Sequence, residues 1–285
     1  MLLLWLLFLV PSIQSFAAQK AVKYFNKNFA QNASLGTIKY TFPNQIKLKK
    51  LFVPDYAGDT LFYVGSLQSS IIGYSQLSGK LTLSTLKGDS VFFHMLRHLG
   101  RDSTNISIFL AQIIDPNKAR SDKAFTMSIQ SLKLENSRFF LENRNDLENS
   151  ARFFWDDLEG EIEKFILSGP DVAGNIKQLS FNDPAGFRLK DLKSQFYYGS
   201  KGLKAEKLNL ITDRSHLAGN LSFSYSSPTA YLTFVDSVQL ETEVLFSSIN
   251  PQDVKYFASS YPDFPTAKLQ GKASGTVNDF QLRDI

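Results

Sequence analysis

From Leu35 onward the apolar positions recur every second residue, the period of a strand with one face turned inward. Short runs of this kind follow one another closely: TIKYTF (37–42), QIKLKKLFV (45–53), DTLFYVGSLQSSI (59–71), GKLTLSTL (79–86) and DSVFFHMLRHL (89–99). Turn chemistry separates them, with Pro43-Asn44, Pro54-Asp55, Gly58-Asp59, Gly73, Gly79 and Gly88-Asp89 at the breaks. Farther along, Phe125, Met127 and Ile129 share one phase while Leu132 and Leu134 take the other, which predicts a bulge or turn near Gln130-Ser131. After a run that holds Leu208 and Leu210, one strand face is formed by Leu217, Leu221, Phe223 and Tyr225, and the next by Val238, Leu240, Val244 and Phe246.

Ahead of these strands the period is helical. MLLLWLLFLVPSIQSFAAQ carries no charged side chain before Lys20. As a helix at ~1.5 Å per residue it reaches about 28 Å, close to the hydrocarbon core of a bilayer. Residues 1–19 are therefore expected to be a membrane signal-anchor, with Leu2, Leu3, Leu4, Trp5, Leu6, Leu7, Phe8, Leu9 and Val10 as its apolar body. A cleaved signal peptide ending at Ser15-Phe16-Ala17 is the alternative. No Lys or Arg precedes the apolar run, so either its start has been trimmed or the N-terminal amine alone supplies the positive charge. Residues 20–34 are expected to be an amphipathic helix, whose stripe of Ala18, Ala21, Val22, Phe25 and Phe29 either caps a core or lies at a lipid interface. Two short helices interrupt the strands farther on, near 105–113 with Asn105 as N-cap, and near 251–259 with Asn250 as N-cap and Pro251 at the first helical position.

Composition narrows the chemistry. With 25 Phe and 11 Tyr in 285 residues, the chain is rich in side chains that fit a pleated, half-buried surface. The absence of cysteine excludes disulfides, thiolate zinc sites and a cysteine nucleophile. A formal charge of +4, with no basic block beyond KLKK at 47–50, is too weak for a nucleic-acid stripe. His94 and His98 have helical metal-pair spacing, but Met95 stands where a metalloprotease helix needs Glu, and on a strand they would sit ~13 Å apart. The acidic run WDDLEGEIE (155–163) reads as a solvated face rather than an acid–base pair. Lys39, Lys47, Lys49 and Lys50 are solvent-facing strand lysines or contacts for anionic headgroups. Asn32, Asn105 and Asn220 each open a glycosylation sequon, a short pattern that matters only in a eukaryotic secretory context. No catalytic, metal or cofactor motif emerges, and the chain is read as a non-enzyme.

The serial order of parts carries a resemblance. An apolar N-terminal segment, an amphipathic helix, LGTIKYTFPNQIKLKKLFVPDYAGDTLFYVGSLQSSI, GKLTLSTLKGDSVFF, TNISIF, SIQSLKLENSRFFL and FILSGPDVAGNIKQLSFND together resemble the N-terminal region of TamB-type (translocation and assembly module) proteins of the AsmA-like superfamily. The most telling pieces are Asp59-Thr60-Leu61, the stretch Ser131 to Phe139, and Gly169-Pro170-Asp171-Val172. The resemblance implies an inner-membrane-anchored periplasmic protein of a Gram-negative bacterium. It implies a mainly β architecture, an open, curled antiparallel-rich groove over 35–285 that conducts phospholipid between the membranes or supports outer-membrane protein assembly through a TamA-like barrel. No cofactor is implied.

On this reading the groove is lined by Phe125, Met127, Ile129, Leu132, Leu134, Leu208, Leu210, Leu221, Phe223, Tyr225, Val238, Leu240, Val244 and Phe246. Alternation by itself fits a closed β-sandwich or barrel equally well, and with it an anchored or secreted β-rich protein-binding module that carries no lipid. The closing phrase KLQGKASGTVNDFQLRDI looks like an interior strand pair, so the native chain is expected to continue past Ile285.

Overall fold

The computed structural model describes residues 19–20, 22–23, 26–27, 32–41, 44–75, 79–113, 126–146, 151–169, 171–199, 202–224, 238–257, 262–276 and 279–283. The anchor residues Leu2 to Val10 lie outside this set, as do Phe125 and Tyr225. No described helix is long and apolar enough to cross a membrane.

The protein is mainly β. Among the described residues thirteen strands hydrogen-bond in sequence order, with β1 and β13 at the two ends of the order and no pairing between them. They are β1 Ser34–Thr41, β2 Gln45–Pro54, β3 Thr60–Ser75, β4 Lys80–Arg97, β5 Thr126–Asn143, β6 Ala151–Ser168, β7 Asp171–Asp183, β8 Phe187–Gly199, β9 Gly202–Thr212, β10 His216–Ser224, β11 Gln239–Ile249, β12 Ala267–Gly275 and β13 Phe280–Arg283. The described residues add two short helices to them, α1 Asn105–Ile113 and α2 Pro251–Phe257. Such an open order is the expected coarse architecture. The closed sandwich or barrel finds no support among the described strands. The strands divide into two compact units, Met1–Ala124 with Leu132–Glu159, and Phe125–Ser131 with Gly160–Ile285.

In the first unit β1 to β4 pair as antiparallel neighbours. Leu35, Leu51, Val64 and Val91 stand directly opposite one another, and so do Ile38, Leu48, Leu67 and Gly88. Between these rows runs a transverse line of backbone irregularity. Gly36 faces Lys50, Gly65 and Ser90, and both Lys50 and Ser90 are left-handed, at φ 54° and 55°. Asn136 and Asp157 carry the same conformation in β5 and β6. Each such residue is one extra step in its strand, so apolar positions three apart return to the same face. Gly88 shows this directly. A Cβ there would lie 2.8 Å from Cγ2 of Val91, 3.2 Å from Cδ2 of Leu134 and 3.9 Å from Cδ1 of Leu67, which places all four positions on one side. Because the extra residues align from strand to strand, the pairing register is unchanged across the line.

Two expected turns are absent here for a shared reason. Gly88-Asp89 is not a turn, since β4 runs unbroken from Lys80 to Arg97; its glycine is selected by the close approach of Val91 and Leu134. Likewise β5 passes through Gln130 and Ser131 without a turn, and its left-handed residue is Asn136.

At one end of this unit α1 covers the apolar face. Ala33, Val53, Leu61 and Phe109 form a buried cluster against Leu51, Phe62, Phe93 and Ile106, with Phe62 and Phe109 edge to face at 6.4 Å. The cap of α1 is Thr104 rather than Asn105: Thr104 Oγ1 accepts from Ser107 N at 3.3 Å, the bond of a residue one place before the helix. Asn105 is fully buried and holds β4 instead, accepting from Leu96 N (2.9 Å) and donating to the His94 carbonyl (3.0 Å). That burial also removes its sequon from use in the folded protein.

In the second unit β7 to β13 are antiparallel neighbours. Its helix α2 begins as expected, with Gln252 N donating to Asn250 Oδ1 at 3.0 Å and Pro251 at the first position. Tyr256 stacks on Phe187 at 4.3 Å and its hydroxyl donates to Asp183 Oδ2 at 2.6 Å. The helix thereby covers the end of the sheet at which Phe181, Phe187 and Leu189 are buried.

Candidate functional site

The second unit has two chemically distinct faces. Val172, Tyr198, Leu203, Phe223 and Leu240 lie directly opposite one another across β7 to β11, and the next row on that face is Gly174, Phe196, Ala205, Leu221 and Thr242. Directly opposed residues share a face and successive residues alternate. The intervening row reads Ala173, Tyr197, Lys204, Ser222, Glu241 and Ser274. One surface is thus apolar and the other polar. Among the described residues no second sheet covers the apolar one; Leu203, Leu221, Phe223 and Leu240 are half-buried and Tyr198 is 58% exposed.

A second line of bulges crosses these strands, with register shifts between β8 and β9, β9 and β10, β10 and β11, and β11 and β12. In β9 the extra residue is Lys207, left-handed at φ 52°. It returns Leu208 and Leu210 to the face of Leu203 and Ala205, where Leu208 faces Gly219 and Leu210 faces Leu217 and Leu192. Gly219 has a φ of 152°, and a Cβ there would run into the Glu243 carbonyl.

The structure therefore brings Leu208, Leu210, Leu221, Phe223, Leu240 and Val244 onto one continuous surface. Val238 sits just ahead of β11 and is buried. Phe246 is a correction. Gly219 pairs with Val244 and His216 with Ser248, so Leu245 and Phe246 together oppose Ala218. The bulge turns both to the polar face, 52% and 66% exposed, and gives Ser247 the inward place. Met127 and Ile129 fall in the second unit and Leu132 and Leu134 in the first.

Period-two reasoning missed the apolar rows of β1 to β4, because their phase inverts at Lys50, Gly65 and Ser90. A signal was present: Leu35–Ile38, Leu48–Leu51, Val64–Leu67, Gly88–Val91, Leu134–Ser137 and Ala205–Leu208 all step by three where a regular strand steps by two.

Charged groups sit on the other faces or at the ends. The polar face of the second unit carries an open concavity of about 710 Å³ bordered by Lys204, Glu206, Glu241, Glu243, Lys272 and Arg283. The acidic run lies along β6 as a solvated face, with Asp156 near Arg138 (4.0 Å) and Glu163 near Lys177 (3.6 Å). His94 and His98 do not act together: His94 Nε2 meets Glu142 Oε2 at 3.1 Å, and His98, beyond the end of β4, meets Asp55 Oδ2 at 2.7 Å.

Asp55, Asp59 and His98 form the one described group with metal-ligand spacing. Its geometry is that of a hydrogen-bonded joint. Asp55 Oδ1 accepts from Ala57 N and Asp59 N, its Oδ2 from His98 and Asn105, and Asp59 is taken by Arg144 at 3.0 Å. The bond to Glu142, followed by that to Asp59, holds the Arg144 guanidinium above its ordinary pKa, so a cation would have to displace another cation.

No protein-family model and no curated protein matches the chain.

Proposed function

We propose that the chain is the membrane-proximal segment of a periplasmic hydrophobic-groove protein that carries phospholipid acyl chains along one face of its sheet. The observation that supports this most is the half-exposed apolar surface of β7 to β11, continued through the Lys207 bulge to Leu208 and Leu210 and backed by a polar surface. Acyl chains desolvate against such a surface at roughly 0.8 kcal/mol per CH₂, with no directional chemistry needed. Support for outer-membrane assembly through a TamA-like barrel rests on the resemblance alone.

Organic extraction of the purified full chain tests the reading. Co-purifying phospholipid is expected, together with lipid labelling by a photo-crosslinking residue at Phe223 or Leu210 and none at Phe246. Lipid-free protein, unlabelled at all three positions, would overturn it. That result would favour an anchored or secreted protein-binding module using the polar concavity of β9 to β13.

A further inference from the structure

Charge is distributed very unevenly along the chain. Residues 1–54 contain seven of the 31 Lys and Arg and none of the 27 Asp and Glu, so everything after Pro54 carries 24 cations against 27 acids. The net positive charge of the protein belongs wholly to its beginning.

The fold concentrates that charge. Lys39 in β1 stands directly opposite Lys47 in β2, and Thr37 directly opposite Lys49, so the three lysines share the polar face at the β1 end of the first unit. Successive side chains on one face are ~7 Å apart along a strand and ~5 Å apart between strands, which makes this a dense patch of ammonium groups. A directly opposed like-charge pair destabilises a sheet. Elsewhere the polar faces relieve such charges locally: Lys87 is paired with Glu135 at 2.7 Å, Lys177 with Glu163, Lys190 with Asp213, Lys193 with Asp191 and Lys272 with Glu243. No carboxylate lies within ion-pair distance of Lys39, Lys47 or Lys49 among the described residues. The first carboxylate along the Thr37–Lys49–Ser66 row is Asp89, two strands away and held by Asn136 at 2.8 Å.

We infer that this face of β1 and β2 docks on an anionic lipid bilayer, with Lys39, Lys47 and Lys49 against headgroup phosphates. Two features favour a bilayer over other polyanions. The patch is built of lysine without arginine, and Phe52 and Tyr63 in the next row of the same face suit a membrane–water interface; and it follows an uncharged apolar stretch and Lys20, Lys23 and Lys27, the arrangement of a juxtamembrane polybasic segment. The inference is independent of the acyl-carrying surface of the second unit and survives if that surface proves lipid-free.

The chain has no cysteine, so Thr37→Cys gives a single labelling site in the middle of the patch. The full labelled chain is reconstituted with nanodiscs of phosphatidylcholine, alone or with about 30% phosphatidylglycerol, and fluorescence quenching by a headgroup-nitroxide lipid is read. Stronger quenching in the anionic discs, reversed at high salt, is expected. The ratio of docked to undocked protein should fall about fivefold for each of K39Q, K47Q and K49Q, on the order of a hundredfold for all three, and stay unchanged in K177Q/K193Q. K47Q should also raise the melting midpoint, which separates lost docking from lost folding. Equal quenching in both lipid compositions would overturn the proposal. So would a single-stranded oligonucleotide that binds through these lysines at physiological salt while anionic lipid leaves the label unmoved.

Discussion

The two units solve one problem in two ways. Each ends a sheet under a short helix, and each pins that helix with a buried aspartate, but the aspartates are served differently. In the first unit Asp55 belongs to the turn before β3. It collects two backbone N–H groups of that turn, the His98 ring and the Asn105 side chain. In the second unit Asp253 belongs to the helix itself and takes the hydroxyls of Thr212 and Ser215, both at 2.6 Å, with Arg214 at 3.3 Å. One carboxylate organises backbone; the other ties a helix to side chains of the β9–β10 turn. The bulge lines differ in the same spirit. Where extra residues align in every strand, the register is undisturbed; where they fall on some strands only, each neighbouring pair shifts. Either device keeps apolar side chains on one face past an irregularity.

The largest expected effect breaks the first half of this comparison. Asp55→Ala leaves two turn N–H groups, a histidine and an amide without their acceptor and should cost about 4 kcal/mol; Asp253→Ala, which frees two hydroxyls able to rotate to other partners, should cost about 3 kcal/mol. Denaturant unfolding gives the sizes, and hydrogen exchange shows where the loss falls. Exchange should rise in β3, β4 and α1 for the first substitution and in β8 to β10 and α2 for the second, and the reverse order of cost would refute the distinction between the two joints.

Next in size, Val244→Asp should cost roughly 2 kcal/mol or more, by placing a charge on the apolar face, whereas Phe246→Asp should stay within about 0.5 kcal/mol. Comparable losses would show that the bulge does not reverse Phe246. Asn105→Ala is expected to cost about 2 kcal/mol through its orphaned partners in β4, against about 1 kcal/mol for the helix cap Thr104→Ala. Thermal melts of the pair would contradict the assignment if the cap proved the costlier. The smallest effect has the opposite sign. Lys50→Gly relieves a left-handed lysine and should stabilise by about 0.5 kcal/mol, less than relief of the strain alone because glycine also loosens the unfolded chain.

Much of the fold was legible. Period-two runs with Pro, Gly and Asn between them marked most of the strands, and Asn250-Pro251 marked the start of α2 to the residue, because these signals are local. The errors share a cause. Gly88-Asp89 reads as a turn, Asn105 as a cap and Phe246 as an inward residue when only neighbours along the chain are considered. Gly88 is instead chosen by Leu134, Asn105 by the backbone of Leu96 and His94, and the side of Phe246 by Ala218 across the sheet. Each of these determinants lies in another strand.

From its sequence alone this protein is committed to a predominantly β chain of amphipathic strands, free of thiol chemistry, with its net positive charge confined to the residues ahead of Asp55, because composition and period-two patterning act residue by residue. Which apolar residues share a surface is decided only by tertiary structure. Six described non-glycine residues, Lys50, Ser90, Asn136, Asp157, Lys164 and Lys207, adopt a left-handed backbone, and most of them carry no intrinsic preference for it. Neighbouring strands hold them there, and each such step can reverse the facing of every side chain that follows.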